Sequence, residues 1–177
     1  GVRFYQRREV KDLIAYLRML QDPYDEISFV RVINVPTRGI GKRTVDDLML
    51  WAQSMGVPAY VALQLLAGDG SELAAPATNP FNPRQCQQLV GFLQLLNGLR
   101  ESMAELELTN LIDEVLERTG YRQSLLESDE PDAEDRLDNL REFRGVSAEF
   151  EGLPSIESLQ PFLENAALVS DQDALTD

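Results

Sequence analysis

Apolar residues recur along this chain at intervals of three and four rather than two, the spacing of amphipathic helices rather than half-buried strands. Glu9 to Leu20 sets Leu13, Tyr16, Leu17 and Leu20 on one helical face, and Asp22-Pro23 closes that helix. In Asp25 to Ile33 the face predicted to be buried is Ile27, Val30 and Ile33. Val35-Pro36 stops this helix, because the residue before a proline is pushed out of the helical region. Lys42 to Ser54 carries Val45, Leu48, Met49 and Ala52 in register up to Gly56 and Pro58. Ala59 to Leu66 is a further short helix ahead of Gly68-Asp-Gly70.

Glycine, proline and small polar residues then collect over residues 67–83, which marks a loop or linker and a seam between two halves. Beyond it the pattern predicts a long helix from Arg84 to Ala104, with Leu89, Phe92, Leu93, Leu96 and Leu99 inside. Next comes Asn110 to Arg118, capped by Thr109 and stopped by Gly120. Pro131 to Phe150 follows with Leu137, Leu140, Phe143 and Val146, and Ser155 is expected to cap Ile156 to Leu168. Arg3 to Tyr5 fits the end of a strand. No stretch alternates for long and no repeat stands out, so the expected fold is all-α, a compact domain of about eight helices.

Composition narrows the chemistry. The 177 residues include no histidine and a single cysteine, Cys86, which closes off Ser-His-Asp and Cys-His nucleophiles, histidine-ligated zinc and internal disulfides. A lone cysteine of this kind reads as a buried core residue in a reducing, cytoplasmic protein. No apolar run approaches the ~18 residues of a membrane span. The opening Gly-Val-Arg-Phe, without methionine, reads as a segment cut from a longer protein.

Charge is unevenly spread. The formal net charge is -14, yet residues 1–45 hold nine bases against five acids. Between Glu26 and Asp46 there is no acid, while Arg31, Arg38, Lys42 and Arg43 fall inside that gap. An acidic body opposes broad coating of nucleic acid, whose affinity comes largely from cations displacing counterions; a small basic contact remains open.

That gap contains the most informative motif, Ile33-Asn-Val-Pro-Thr-Arg-Gly-Ile-Gly-Lys-Arg-Thr44. Gly39 and Gly41 allow a tight turn with positive φ and a close backbone approach. The N–H groups of residues 41–44 then open a helix whose dipole favours an anion, and Lys42, Arg43 and the Thr44 hydroxyl complete a phosphate cradle. The arrangement resembles a helix-hairpin-helix, an element by which many proteins hold DNA by its backbone, although Gly-x-Gly also serves simply as a helix-helix turn. A nucleotide phosphate loop fails, because it needs Gly at Pro36 and Ser or Thr at Arg43. The carboxylate pairs Asp46-Asp47, Glu130-Asp132 and Asp171-Asp173 read as solvated surface. Trp51 and the tyrosines sit at core spacing rather than on a base-stacking platform.

Gly1 to Arg18 and Phe29-Val-Arg-Val-Ile-Asn-Val-Pro-Thr-Arg-Gly-Ile-Gly41 closely resemble subdomain 2B of superfamily 1 DNA helicases of the UvrD/PcrA/Rep type. Glu117-Arg-Thr-Gly-Tyr121, Arg136-Leu-Asp-Asn-Leu-Arg-Glu-Phe143 and Phe162 to Asp171 continue the likeness in order, with PcrA-like members nearest. Residues 67–83 depart from it, being longer and richer in proline. The resemblance implies a helical insertion in a RecA-like motor subdomain that grips the duplex at a single-strand/double-strand junction, within a 3′–5′ helicase of DNA repair and replication. The duplex-backbone contact carries over onto Arg38, Gly39, Ile40, Gly41, Lys42, Arg43 and Thr44. ATP and Mg2+ belong to the motor subdomains of the parent, and this chain has none of the ATPase motifs and binds no cofactor or metal itself. Residues 1–8 are expected to leave motor subdomain 2A, 9–170 to form 2B and 171–177 to return, so the two ends are expected to be neighbours. The parent is expected in the bacterial cytoplasm, associated with the nucleoid, with no membrane contact and possible protein partners on the acidic helices.

Two rivals remain. A helix-hairpin-helix glycosylase needs a catalytic Asp soon after the hairpin, and after Asp46 and Asp47 the next acid is Asp69, in the linker. An acidic helical adaptor that binds only protein predicts indifference to changes at Arg38, Lys42 and Arg43.

Overall fold

The computed structural model describes residues 3–68 and 78–175, and all regular structure within them is helical. A 3-10 turn at Phe4–Gln6 leads into α1 (Arg8–Gln21), α2 (Glu26–Val32), α3 (Lys42–Met55) and α4 (Ala59–Leu66). After the gap come α5 (Pro83–Ser102), α6 (Leu108–Arg118), α7 (Tyr121–Leu126), α8 (Ala133–Val146) and α9 (Ser155–Leu175), with a second 3-10 turn at Ser147–Phe150. Local chemistry sets the ends. Asp25 caps α2 by accepting from the Ser28 N–H, Asn82 and Gln85 form a reciprocal capping box on α5, and Gly56 ends α3 in the left-handed region.

α1 is the hub of the fold, touching α2, α5, α6, α8 and α9. A helix surrounded in this way is buried over most of its circumference, and Val10, Leu13, Tyr16, Leu17, Met19 and Leu20 are all buried, while Arg8, Lys11 and Arg18 face out. Two acids are buried on it as well, and each has partners. Asp12 accepts from Arg31 Nε at 2.9 Å and from the Tyr121 hydroxyl at 2.6 Å, while Glu9 accepts from Asn139 Nδ2 at 2.9 Å and pairs with Arg136. These bonds join α1 to α2, α7 and α8, because a buried carboxylate without donors would be costly.

The same burial makes stability sensitive to alkali. Desolvation pushes the pKa of Tyr121 up, reinforced by Asp12 and opposed by Arg136; desolvation also raises Tyr16, with Arg38 pulling the other way. Unfolded tyrosines lose their protons near pH 10, whereas these two hold theirs when folded. Their contribution is therefore complete below about pH 10 and lost above it, at up to about 1.4 kcal/mol per pH unit for each tyrosine. Urea unfolding at about pH 9 and about pH 11 is expected to show a lower midpoint at the higher pH, and an unchanged midpoint would contradict it.

Several expectations are corrected. The buried face of α2 is Ser28, Phe29 and Val32 together with Ile33, whereas Ile27 is 88% exposed and Val30 47% exposed. Thr109 lies within α6, bonded to the Ser147 hydroxyl, and Glu107 holds the cap position. Ser155 is already helical, its hydroxyl donating to the Met103 carbonyl at 3.1 Å. Tyr121–Leu126, unassigned by periodicity, forms the short α7, and Arg3 to Tyr5 leads into a 3-10 turn rather than ending a strand. Cys86 is half-buried, not a core residue. α9 runs on through residues 171–175, and Gln6 Nε2 donates to the Ser170 carbonyl and hydroxyl, which sets the first turn beside the last helix. The centre of the 67–83 seam, residues 69–77, lies outside the described residues.

Candidate nucleic-acid interface

Between α2 and α3 the chain folds back through residues 33–41, and one side-chain amide shapes the turn: Asn34 Oδ1 accepts the N–H groups of Arg38 at 2.8 Å and Ile40 at 3.1 Å. Ile40 is carried into the core, 1% exposed. Arg38 turns inward as well. Its guanidinium donates to the Val32 and Ile33 carbonyls at 2.7 and 2.6 Å, capping the C-terminal end of α2, and to the Tyr16 hydroxyl at 2.6 Å. It also lies 5.2 Å from the Phe92 ring centroid, a cation–π distance. Tyr16 in turn donates to the Val35 carbonyl. Arg38 thus pins the turn to α1 and α5.

The two glycines serve different purposes. Gly39 has φ +80°, and a Cβ built there would stand 2.3 Å from Gln88 Nε2 on α5. Gly39→Ala is therefore expected to cost about 1–3 kcal/mol, read as a lower urea midpoint. Gly41 departs from the expected positive φ. It is extended, at φ -72° and ψ 170°, and caps α3 with no side-chain hydrogen bond. A Cβ there would meet nothing within 4 Å. The first intrahelical bond of α3 runs from the Val45 N–H to the Gly41 carbonyl, so the N–H groups of residues 42–44 point out of an uncapped helix end.

Lys42 and Arg43 flank that end and are exposed. Lys42 pairs with Asp46 at 3.1 Å, but both groups face solvent, where such a pair holds weakly and yields to a better partner. Thr44 is 8% exposed and its hydroxyl accepts from Gln85 Nε2 at 3.2 Å, so it fastens α3 to α5. Of the seven expected residues, then, Gly39, Gly41, Lys42 and Arg43 are exposed along an outward edge, and Arg38, Ile40 and Thr44 build the turn behind it. The contribution of α5, through Gln85 and Gln88, carries no local sequence signal because it arises only from tertiary packing.

The carboxylate pairs do not converge. Asp46 meets Lys42, Glu130 meets Arg8 and Arg136, and among the described residues no group of His, Cys, Asp and Glu is placed to hold a metal ion. No described helix is long and apolar enough to cross a membrane.

Residues 1–64 match the family described as UvrD-like helicase C-terminal domain. The ATP-dependent DNA helicase PcrA of Bacillus subtilis is 34% identical over 175 residues, covering 99% of this chain and 22% of the relative. The ATP-dependent DNA helicase UvrD1 of Mycobacterium tuberculosis is 37% identical over 190 residues, with 99% and 24% covered, and PcrA of Leuconostoc citreum is 34% identical over 179 residues. The chain spans about a quarter of the length of the relatives it matches.

Proposed function

We propose that this chain, similar to UvrD-like helicases over nearly its whole length, is the duplex-gripping 2B-type subdomain of an ATP-dependent DNA helicase. It holds the sugar-phosphate backbone at a single-strand/double-strand junction through the α3 edge, while ATP and Mg2+ are handled by RecA-like motor subdomains of the parent, which moves 3′ to 5′ in repair and replication. The observation that carries this reading is the uncapped N-terminal end of α3, flanked by exposed Lys42 and Arg43 in an otherwise acidic chain. Outward N–H groups and two flexible cations suit a phosphate and carry no base-reading geometry, so binding is independent of sequence. Arg38 and Thr44 act behind the edge by fixing the turn.

The test is fluorescence anisotropy of a labelled duplex with a single-stranded tail against the chain at several salt concentrations. Neutralising Lys42→Gln and Arg43→Gln together is expected to lower the salt slope by about two and to leave thermal unfolding unchanged. A slope unmoved by the double variant would overturn the reading. A second reading, docking of a protein partner, is favoured by the exposed Tyr24, Ile27 and Val30 on and beside α2; it predicts loss of partner binding on Ile27→Asp with duplex binding intact.

A further inference from the structure

The acids of this chain are distributed in a way that extends the α3 edge. Thirty Asp and Glu are spread over 177 residues, yet residues 27–45 and 73–100 contain none. These two stretches are far apart in sequence and meet in the fold. Gln85 Nε2 bonds Thr44 Oγ1, and Gln88 packs so closely on Gly39 that no Cβ fits between them. Neither stretch brings an acid to the place where Gln85 and Gln88 of α5 reach Thr44 and Gly39, and the first acid of α3 is Asp46, paired with Lys42.

Arg84 is the base that α5 brings to this junction. It precedes Gln85, which reaches Thr44, and stands one helical turn before Gln88, which faces Gly39, so it shares the α5 face turned toward the α3 edge. Its side chain is exposed and makes no hydrogen bond or ion pair among the described residues. The end of α5 itself is closed, since Asn82 and Gln85 satisfy each other in the capping box. What α5 offers is therefore the guanidinium and not the helix terminus. A planar guanidinium in a stretch of chain without acids, with no partner among the described residues, is suited to a phosphate.

We infer that Arg84 is a further DNA-backbone contact, taking a phosphate next to the one held at Lys42 and Arg43, so that the interface is bipartite across α3 and α5. This rests on the reading of the α3 edge as a DNA contact. The Gln85–Thr44 and Gln88–Gly39 contacts fix the spacing of the two parts, and the α3 turn then works as a platform for both.

The experiment measures duplex affinity against salt for Arg84→Gln, Arg84→Lys, Lys42→Gln and Arg141→Gln, each on two tailed duplexes of unrelated sequence. Arg141 lies on α8, which packs on α1, α6 and α7, and losing it removes the same charge elsewhere. Arg84→Gln is expected to lower the salt slope by about one, equally on both duplexes, and Arg84→Lys to restore it. An unchanged slope for Arg84→Gln beside a lowered one for Lys42→Gln overturns the inference and leaves the α3 reading standing. Equal effects of Arg84→Gln and Arg141→Gln also overturn it, since only net charge is then at work. Unchanged slopes for both Arg84→Gln and Lys42→Gln overturn the inference and the α3 reading together.

Discussion

Replacing Arg38 with alanine is expected to lower the stability of the chain by about 4 kcal/mol, the range for breaking a largely enclosed charged network. The loss has three sources. The Val32 and Ile33 carbonyls at the end of α2 lose their donor, the Tyr16 hydroxyl loses its charged partner in the core, and the contact over Phe92 disappears. Arg38→Lys is expected to recover only a minor part, because a point ammonium does not reach two carbonyls and a phenol in one plane as a guanidinium does. Urea unfolding with tyrosine and Trp51 fluorescence provides the measurement. A loss below about 1 kcal/mol would mean that Arg38 is not a keystone and is available to act at the surface. Weakened DNA binding by such a variant reports a lost turn, so only variants that unfold like the original chain bear on phosphate contact.

Gly41→Asp is expected to do what few substitutions at a binding site do, raising stability while weakening binding. The extended backbone at residue 41 accommodates any side chain, and no neighbour lies within 4 Å of the added Cβ. An aspartate there accepts an N–H of the first turn of α3 and complements its dipole, worth about 1 kcal/mol. The same carboxylate occupies the place of the phosphate and repels it, so duplex affinity is expected to fall at least about tenfold at low salt. Gly41→Ala supplies the contrast, adding bulk without an acceptor and leaving most of the affinity. If Gly41→Asp is more stable and still binds DNA normally, the α3 end is not where the phosphate sits.

Much of this arrangement is legible in the chain. α4 falls on Ala59–Leu66 as its periodicity predicts, and α3 begins at Lys42 where the glycine turn ends. The five apolar residues read as internal to α5 are all buried. The failures share a cause. α2 and the Ile33 that follows it have apolar residues at 27, 29, 30, 32 and 33, which form two overlapping stripes on a very short helix, and the choice between them is made by α1 and Arg38 rather than by α2 itself. Thr109 and Ser155 have the chemistry of caps but find tertiary partners at Ser147 and Met103 instead. At the interface, sequence identifies the residues of the turn but not which of them face outward. Arg38 and Lys42 are both basic residues beside Gly-Ile-Gly, and only the carbonyls at the end of α2 separate their roles. Arg84 lies beyond the reach of local pattern altogether, since its place depends on a meeting of α3 with α5.

The central position of α1 bears on how the chain is made. α1 is synthesised before its partners α8 and α9, which lie near the other end of this stretch, so its face cannot be fully closed until they have been made. Until then part of the α1 surface stays uncovered, and Glu9 waits for Asn139 and Arg136 of α8. Nascent chains that end before α8 are therefore expected to leave part of α1 exposed, with its packing completed only when α8 and α9 join α2, α5 and α6 around it.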